Sequence, residues 1–315
     1  MSFVRVNGTG LHYERTGPEP TDGEAPEPIL WLPGFVISAR AWEPVVPLYS
    51  AHYDCISFDN RATGRSGPSR RVISIPSLAG DAVGVLDALG IESAHVYGVS
   101  YGGMVAQEMA IRFPDRVRGL ILGGTSPGGP RSVLPSVGDL VTLGHRMRRG
   151  SGRFGLSGAL FSEQFTREHP ELARELTENL QRHRAPASGI AAHLLASTYH
   201  DTVSRLRLIR SPTLVVHGGA DRMTPLRNAK LLADSIPDAE LAVIEGTGHA
   251  YLLEKPEESA EVVLDFLRRR QPTAGRARRT PSEPLTRAFG LSVGAWRTAR
   301  SLAEVTMRPD RHLRV

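Results

Sequence analysis

The sequence predicts an α/β fold, a mostly parallel central sheet covered by helices on both faces, with a helical lid inserted into it. Two observations carry this. Six short apolar runs alternate with helix-like runs, the order expected of a parallel sheet wrapped by crossover helices. The rhythm then breaks once, over residues 130–205, where no strand pattern is found.

The elements follow in order. The opening "MSFVRVNGTGLHYERTG" reads as a β-hairpin, adding antiparallel strands at one edge of the sheet. The buried strands are "PILWLPG" (28–34), "YDCISFDN" (53–60), "AHVYGVS" (94–100), "VRGLILGG" (117–124), "PTLVVHGG" (212–219) and "AELAVIEG" (239–246). Between and after them lie helical patterns: "AWEPVVPLYSA", "SLAGDAVGVLDALG", "YGGMVAQEMAIRF", "LRNAKLLADSI" and "PEESAEVVLDFLRRR". In the interrupting stretch, "PELARELTENLQRH" and "SGIAAHLLASTYH" suit helices. The expected organisation is therefore a core of residues 1–129 and 206–270, a helical lid over 130–205 and a basic C-terminal extension over 271–315.

Composition narrows the function classes. At 315 residues, with 40% hydrophobic and 23% charged residues, the chain can bury a full-size soluble core. Its one cysteine, Cys55, excludes an internal disulfide and a cysteine metal site, and its apolar setting suits a buried core residue. No basic segment followed by an apolar one opens the chain, and no apolar run reaches membrane-span length, so a cytoplasmic protein is expected. The net charge of +5 is not spread evenly. Residues 271–315 hold nine Arg and three acidic residues, a net +6, which leaves −1 for the first 270. The expected body is no nucleic-acid binder, and a dinucleotide site is disfavoured because no G-x-G-x-x-G follows an early strand.

The chemistry gathers at the ends of the strands, where such sheets collect reactive groups. "HVYGVSYGG" places Ser100 between Gly98 and Gly102 at a strand-to-helix junction. The bland reading is a tight turn. The sharper one is a nucleophile elbow, whose sharp turn tolerates no bulk at either glycine. A serine needs a base. His249, in "EGTGHAYLLEKPEE" after the last strand, is the best placed of eleven histidines; His95, His145, His169, His183 and His193 read as core or insertion residues. The base needs an orienting carboxylate. Asp221 in "LVVHGGADRMTP" supplies one, against the competing reading of a turn former before the next helix. The other position for an acid, "GGTSPGG" after the strand ending near Gly123, holds none. The oxyanion of an acyl-transfer intermediate requires preorganised N–H donors. The amides of Tyr101 and Phe35 are the natural pair, with Gly34 allowing the turn. No metal or cofactor is implied.

Five segments, "LPGF", "DNRATGRSG", "GVSYGG", "HGGADRMTP" and "GTGHAYLLEKPEE", resemble the α/β-hydrolase superfamily in its lidded, serine-nucleophile branch, over about residues 1–270. Within that branch the chain is similar to ester hydrolases such as aclacinomycin methylesterase and enol-lactone hydrolases, and to intracellular polyhydroxyalkanoate depolymerases. The resemblance implies the order Ser100, Asp221, His249 and a carboxylesterase or lactonase acting on a small apolar ester, lactone or thioester. Thioesterase or cofactor-free perhydrolase (haloperoxidase-type) chemistry on the same triad, and a lid-covered binding protein with a residual triad, stay open. Two positions depart from relatives: Pro33-Gly34 stands where His-Gly is usual, and Ala62 where glycine is frequent. In the lid, Phe154, Leu160, Phe161, Phe165 and Tyr199 suit an apolar substrate pocket or the lid's own core.

The extension carries a short amphipathic pattern, Leu285, Phe289, Val293 and Trp296, flanked by Arg287, Arg297 and Arg300. Disorder of 271–284, docking on the chain's own domain or a second subunit, and contact with an anionic membrane surface compete for it. The expectation is a helix over 285–303 packed on protein, outside the catalytic site.

Overall fold

The computed structural model describes residues 2–19, 25–69, 71–141, 156–181 and 185–270. The C-terminal extension, with its expected helix, lies outside the described residues, as does Phe154.

Eight strands form one sheet in the order β1-β2-β4-β3-β5-β6-β7-β8. They are β1 (Ser2–Val6), β2 (Thr9–Thr16), β3 (Pro28–Leu32), β4 (Asp54–Phe58), β5 (Ala94–Val99), β6 (Val117–Gly123), β7 (Thr213–Gly218) and β8 (Glu240–Ile244). All six apolar runs lie on strands. The N-terminal hairpin is present: β1 pairs antiparallel with β2, and β2 antiparallel with β4. Asn7 and Gly8 turn it, both at positive φ (48° and 81°), the two-residue connection that matches strand twist. Every remaining pairing is parallel.

Strand side chains alternate between two buried layers. Leu30, Leu32, Val96, Leu120, Leu122 and Val215 belong to a core shared with α2 (Ile75–Ala88), α3 (Tyr101–Arg112) and α8 (Leu226–Ser235). Ile29, Trp31, Tyr97, Ile121 and Val216 are buried on the other face. There Trp31 packs its ring within 5 Å of Trp42, Tyr49 and Tyr97. Tyr49 lies on α1 (Pro47–Ser50). Two further helices, α9 (Tyr251–Glu254) and α10 (Pro256–Arg270), close the chain's described part. Burial on both faces explains why the central parallel strands β3 to β7 read as continuous apolar runs. Cys55 is buried and free, its thiol pushed up to about 12 by burial.

Between β6 and β7 the described residues form helices: α4 (Ser157–Leu160), α5 (Glu163–Glu168), α6 (Pro170–Gln181) and α7 (Ala187–Thr198). One isolated bridge, Gly128 to Asp201, closes the base of this insertion. No helix among the described residues is long and apolar enough to cross a membrane.

Candidate active site

Strand register assembles the site. The sheet order reverses around β3, which has β4 on one side and β5 on the other, so the loops leaving β3 and β5 open side by side. Leu32 pairs with Gly98, which sets Pro33-Gly34-Phe35 alongside Val99-Ser100-Tyr101. Gly98 and Val99 pair with Leu122 and Gly123 of β6. Ser100 N–H donates to the Gly123 carbonyl at 2.8 Å.

Ser100 sits at φ 56° and ψ −118°, a conformation that a residue with a side chain seldom adopts and that costs about 1–3 kcal/mol. Its surroundings hold it there. Its carbonyl accepts from Gly103 N–H at 2.9 Å and from the Thr125 hydroxyl at 2.7 Å. The flanking glycines are required by close approach. A Cβ at Gly98 would collide with the Gly102 carbonyl, and one at Gly102 with the Leu32 carbonyl. The second clash is with β3, across the sheet rather than across the turn. Gly102→Ala is therefore expected to lower stability by about 3 kcal/mol in a denaturant titration. Gly80→Ala, inside α2 with nothing within 4 Å of the added methyl, is expected to raise it by about 0.5–1 kcal/mol.

Asp221 follows β7 and is buried. Its two oxygens divide the two roles that compete for it in the sequence. Oδ1 accepts the amides of Met223 at 2.8 Å and Thr224 at 2.9 Å, shaping the turn before α8. Oδ2 accepts from His249 Nδ1 at 2.8 Å. The N-cap of α8 is Pro225, so Asp221 makes the turn without capping the helix. The His249 ring stands over Gly124, whose added Cβ would lie 3.5 Å from its Cε1 and Nδ1. Burial lowers the affinity of His249 for a proton, but the charge and hydrogen bond of Asp221 outweigh it and hold its pKa above 6.5. With Nδ1–H committed to Asp221, Nε2 is the basic nitrogen. Neither Nε2 nor the Ser100 hydroxyl makes a hydrogen bond among the described residues.

Phe35 and Tyr101 are neighbours, their rings edge to face with centroids 5.7 Å apart. Neither backbone N–H finds an acceptor among the described residues. Val36, next in that loop, is at φ 49°, rare for a β-branched residue and a mark of a tightly determined loop. Ala62 is at φ 56°, a backbone conformation that glycine adopts more readily than alanine.

Four residues outside the sequence-based site complete it. His217 Nε2 faces the Thr224 carbonyl at 2.7 Å, so that nitrogen carries the proton, and it lies 3.4 Å from Asp221 Oδ2. Its spacing of four from Asp221 was the available signal. Thr125 holds the elbow carbonyl. Glu254 accepts from Gly248 N–H at 2.8 Å, and from both the amide and the hydroxyl of Ser162 at 2.8 and 2.6 Å. With the bond from Ala250 N–H to the Leu160 carbonyl at 2.8 Å, this ties the insertion to the loop of His249. His193, read from sequence as an ordinary insertion residue, contacts Tyr101 directly. Of the proposed substrate contacts, Phe161 and Phe165 are buried and stack on each other at 5.2 Å, the packing of the insertion's own core. Tyr199, just after α7, is 81% exposed.

A model of the alpha/beta hydrolase fold matches residues 27–256, which span β3 to the start of α10. The chain belongs to the α/β-hydrolase family. A 2-hydroxy-6-oxononadienedioate/2-hydroxy-6-oxononatrienedioate hydrolase of Burkholderia vietnamiensis is 32% identical over 284 residues, 85% of this chain and 95% of that one. Among solved structures, a thermophilic esterase from Thermogutta terrifontis superposes with a TM-score of 0.71 at 26% identity, covering 86% of this α/β-hydrolase and all of the other chain. Est816, described as an N-acyl homoserine lactone degrading enzyme, gives 0.67 at 29% identity, over 84% of this chain and 100% of its own. The present α/β-hydrolase shares their fold and is a hydrolase.

Proposed function

We propose that this enzyme cleaves a carboxylic ester or lactone through an acyl-enzyme on Ser100. The observation that carries the reading is the 2.8 Å contact of Asp221 with His249, two strand ends from a serine held at positive φ. In this mechanism His249 Nε2 takes the Ser100 proton as Oγ attacks the carbonyl carbon. The oxygen of the tetrahedral intermediate gains its negative charge against the amides of Phe35 and Tyr101. Collapse breaks the bond to the leaving alkoxide, which takes the proton from His249. Water then attacks the acyl group, gives a proton to His249, and the acid leaves as Ser100 recovers its own. In a lactone the alkoxide stays joined to the acyl chain, so one hydroxy acid is released.

Likeness to an esterase and to a lactone-degrading enzyme, each above 25% identity, supports this bond class. The relative named for 2-hydroxy-6-oxononadienedioate supports a second reading, hydrolysis of a keto-dienoic acid by the same serine. The deciding experiment is a panel of acyl esters, lactones, thioesters and that keto-dienoate, run with wild type and Ser100→Ala. Ester or lactone turnover that depends on Ser100 is expected to exceed the others by more than tenfold in kcat/KM. A preference for the keto-dienoate selects the second reading.

The insertion over 130–205 is proposed as a lid that selects the acyl group. Its hydrogen bonds to the His249 loop and to Tyr101 support this. Substitutions in the lid are expected to shift the ratio of kcat/KM between short and long acyl esters by about tenfold while thermal stability stays nearly constant. Equal effects on every ester would remove the lid from selection.

A further inference from the structure

We infer that His193 is a positioning residue that fixes Tyr101, and so the oxyanion amide, against the insertion. The inference rests on the assignment of Ser100 and the Tyr101 amide made above.

His193 is fully buried on α7 and both of its ring nitrogens are engaged. Nε2 lies 2.9 Å from the Arg61 carbonyl oxygen. A carbonyl only accepts, so Nε2 carries the proton and Nδ1 is bare. The Tyr101 hydroxyl, 2.8 Å from Nδ1, therefore donates to it. The two rings also meet edge to face at 5.5 Å. Tyr101 is thus held twice, by Phe35 at its ring and by His193 at its hydroxyl.

The other end of the connection is equally fixed. The Arg61 guanidinium forms a buried ion pair with Asp81 of α2, and Asp81 also accepts from Asn7 at 2.9 Å. One turn before His193, Gly189 lets α7 approach the same loop: a Cβ there would sit 2.5 Å from the Ala62 carbonyl. The "RAT" loop after β4 is therefore the seat of α7, and His193 reaches across it to the residue that follows the nucleophile.

An oxyanion donor is useful only if held within a few tenths of an ångström of its place before the charge forms. Tyr101 opens α3, and its amide is unclaimed by any carbonyl among the described residues. Removing the pin on its side chain frees the first turn to shift. The loss falls on the transition state rather than on substrate binding, so kcat changes and KM does not.

The test uses the full chain and an activated ester. His193→Phe is expected to lower kcat about tenfold with KM within about twofold. Tyr101→Phe removes the same hydrogen bond from the other side with little change in shape and reports independently if His193→Phe folds poorly. It is expected to give the same kcat loss. The double variant is expected to be no worse than either single one, because the two share one bond. His193→Asn places an acceptor where Nδ1 was and is expected to recover most of the rate. Unchanged kcat in Tyr101→Phe, multiplied losses in the double variant, or an Asn variant no better than Phe would each overturn the inference. Ser100→Ala, run alongside, separates the two levels. Its full loss of activity leaves the underlying mechanism standing even if His193 proves irrelevant, whereas retained activity overturns both.

Discussion

Replacing Ser100 with alanine is expected to lower kcat/KM for an activated ester by about a million-fold, and labelling by a fluorophosphonate is expected to disappear with it. The size of the effect follows from how nucleophile and base act. A serine hydroxyl attacks only as its proton leaves, and His249 has nothing to receive once Oγ is gone. Removing the base costs a comparable factor, and Ser100→Ala with His249→Ala together cost little more than either alone. The backbone needs no serine at this point. The elbow is held by the Gly123 carbonyl, the Thr125 hydroxyl and the glycines at 98 and 102. The alanine variant is therefore expected to keep the wild-type melting temperature, which separates lost chemistry from lost fold. Full activity in Ser100→Ala, or stoichiometric labelling at another residue, refutes the assignment.

Asp221→Asn is expected to lower kcat by about ten-thousand-fold and to move the acid limb of the pH profile downward. Both follow from one hydrogen bond. Asp221 Oδ2 receives Nδ1–H, which leaves Nε2 bare to take the serine proton. Asparagine can turn an N–H toward Nδ1 and so favour the wrong tautomer. The pH shift has a definite sign. His249 works as a base only when neutral, so activity falls as pH drops through its pKa. Burial lowers that pKa, but the Asp221 charge and hydrogen bond raise it further, and the net position is above 6.5. With asparagine the charge and hydrogen bond that raise it are lost while burial remains, so the limb moves to lower pH. A kcat/KM titration of both proteins measures it. An unmoved limb would mean that the titrating group is not the His249 that Asp221 holds.

Much of this is legible in the sequence. Apolar runs mark all six parallel strands; the five central ones, buried on both faces, have no polar side to show, while β8 at the edge keeps Leu241 exposed. Glycines around Ser100 announced a turn too sharp for side chains, and the clashes that a Cβ would meet bear this out. Asp221 and His249 were found by their places after strands, since only strand ends at one edge of the sheet converge. Less came through where contact depends on packing between distant segments. His193 looked like one polar residue among many on a helix; its partner Tyr101 is 92 positions away. Glu254 gave no signal because its acceptor role is to Ser162 across the same number of residues. Tyr199 suits a pocket by its type, but side-chain type does not tell how far a residue is exposed.

Local pattern thus determined the fold, the turn that carries Ser100 and the candidates Asp221 and His249, because propensity, periodicity and turn chemistry act over a few residues. Tertiary structure alone decided the register of β3 against β5 that brings Phe35 beside Tyr101, the sharing of Asp221 between its turn and His249, and the seating of α7 on the Arg61 loop. Those are distances between segments far apart in the chain, set by how side chains pack and by which buried polar groups must find partners, and no window of sequence contains them.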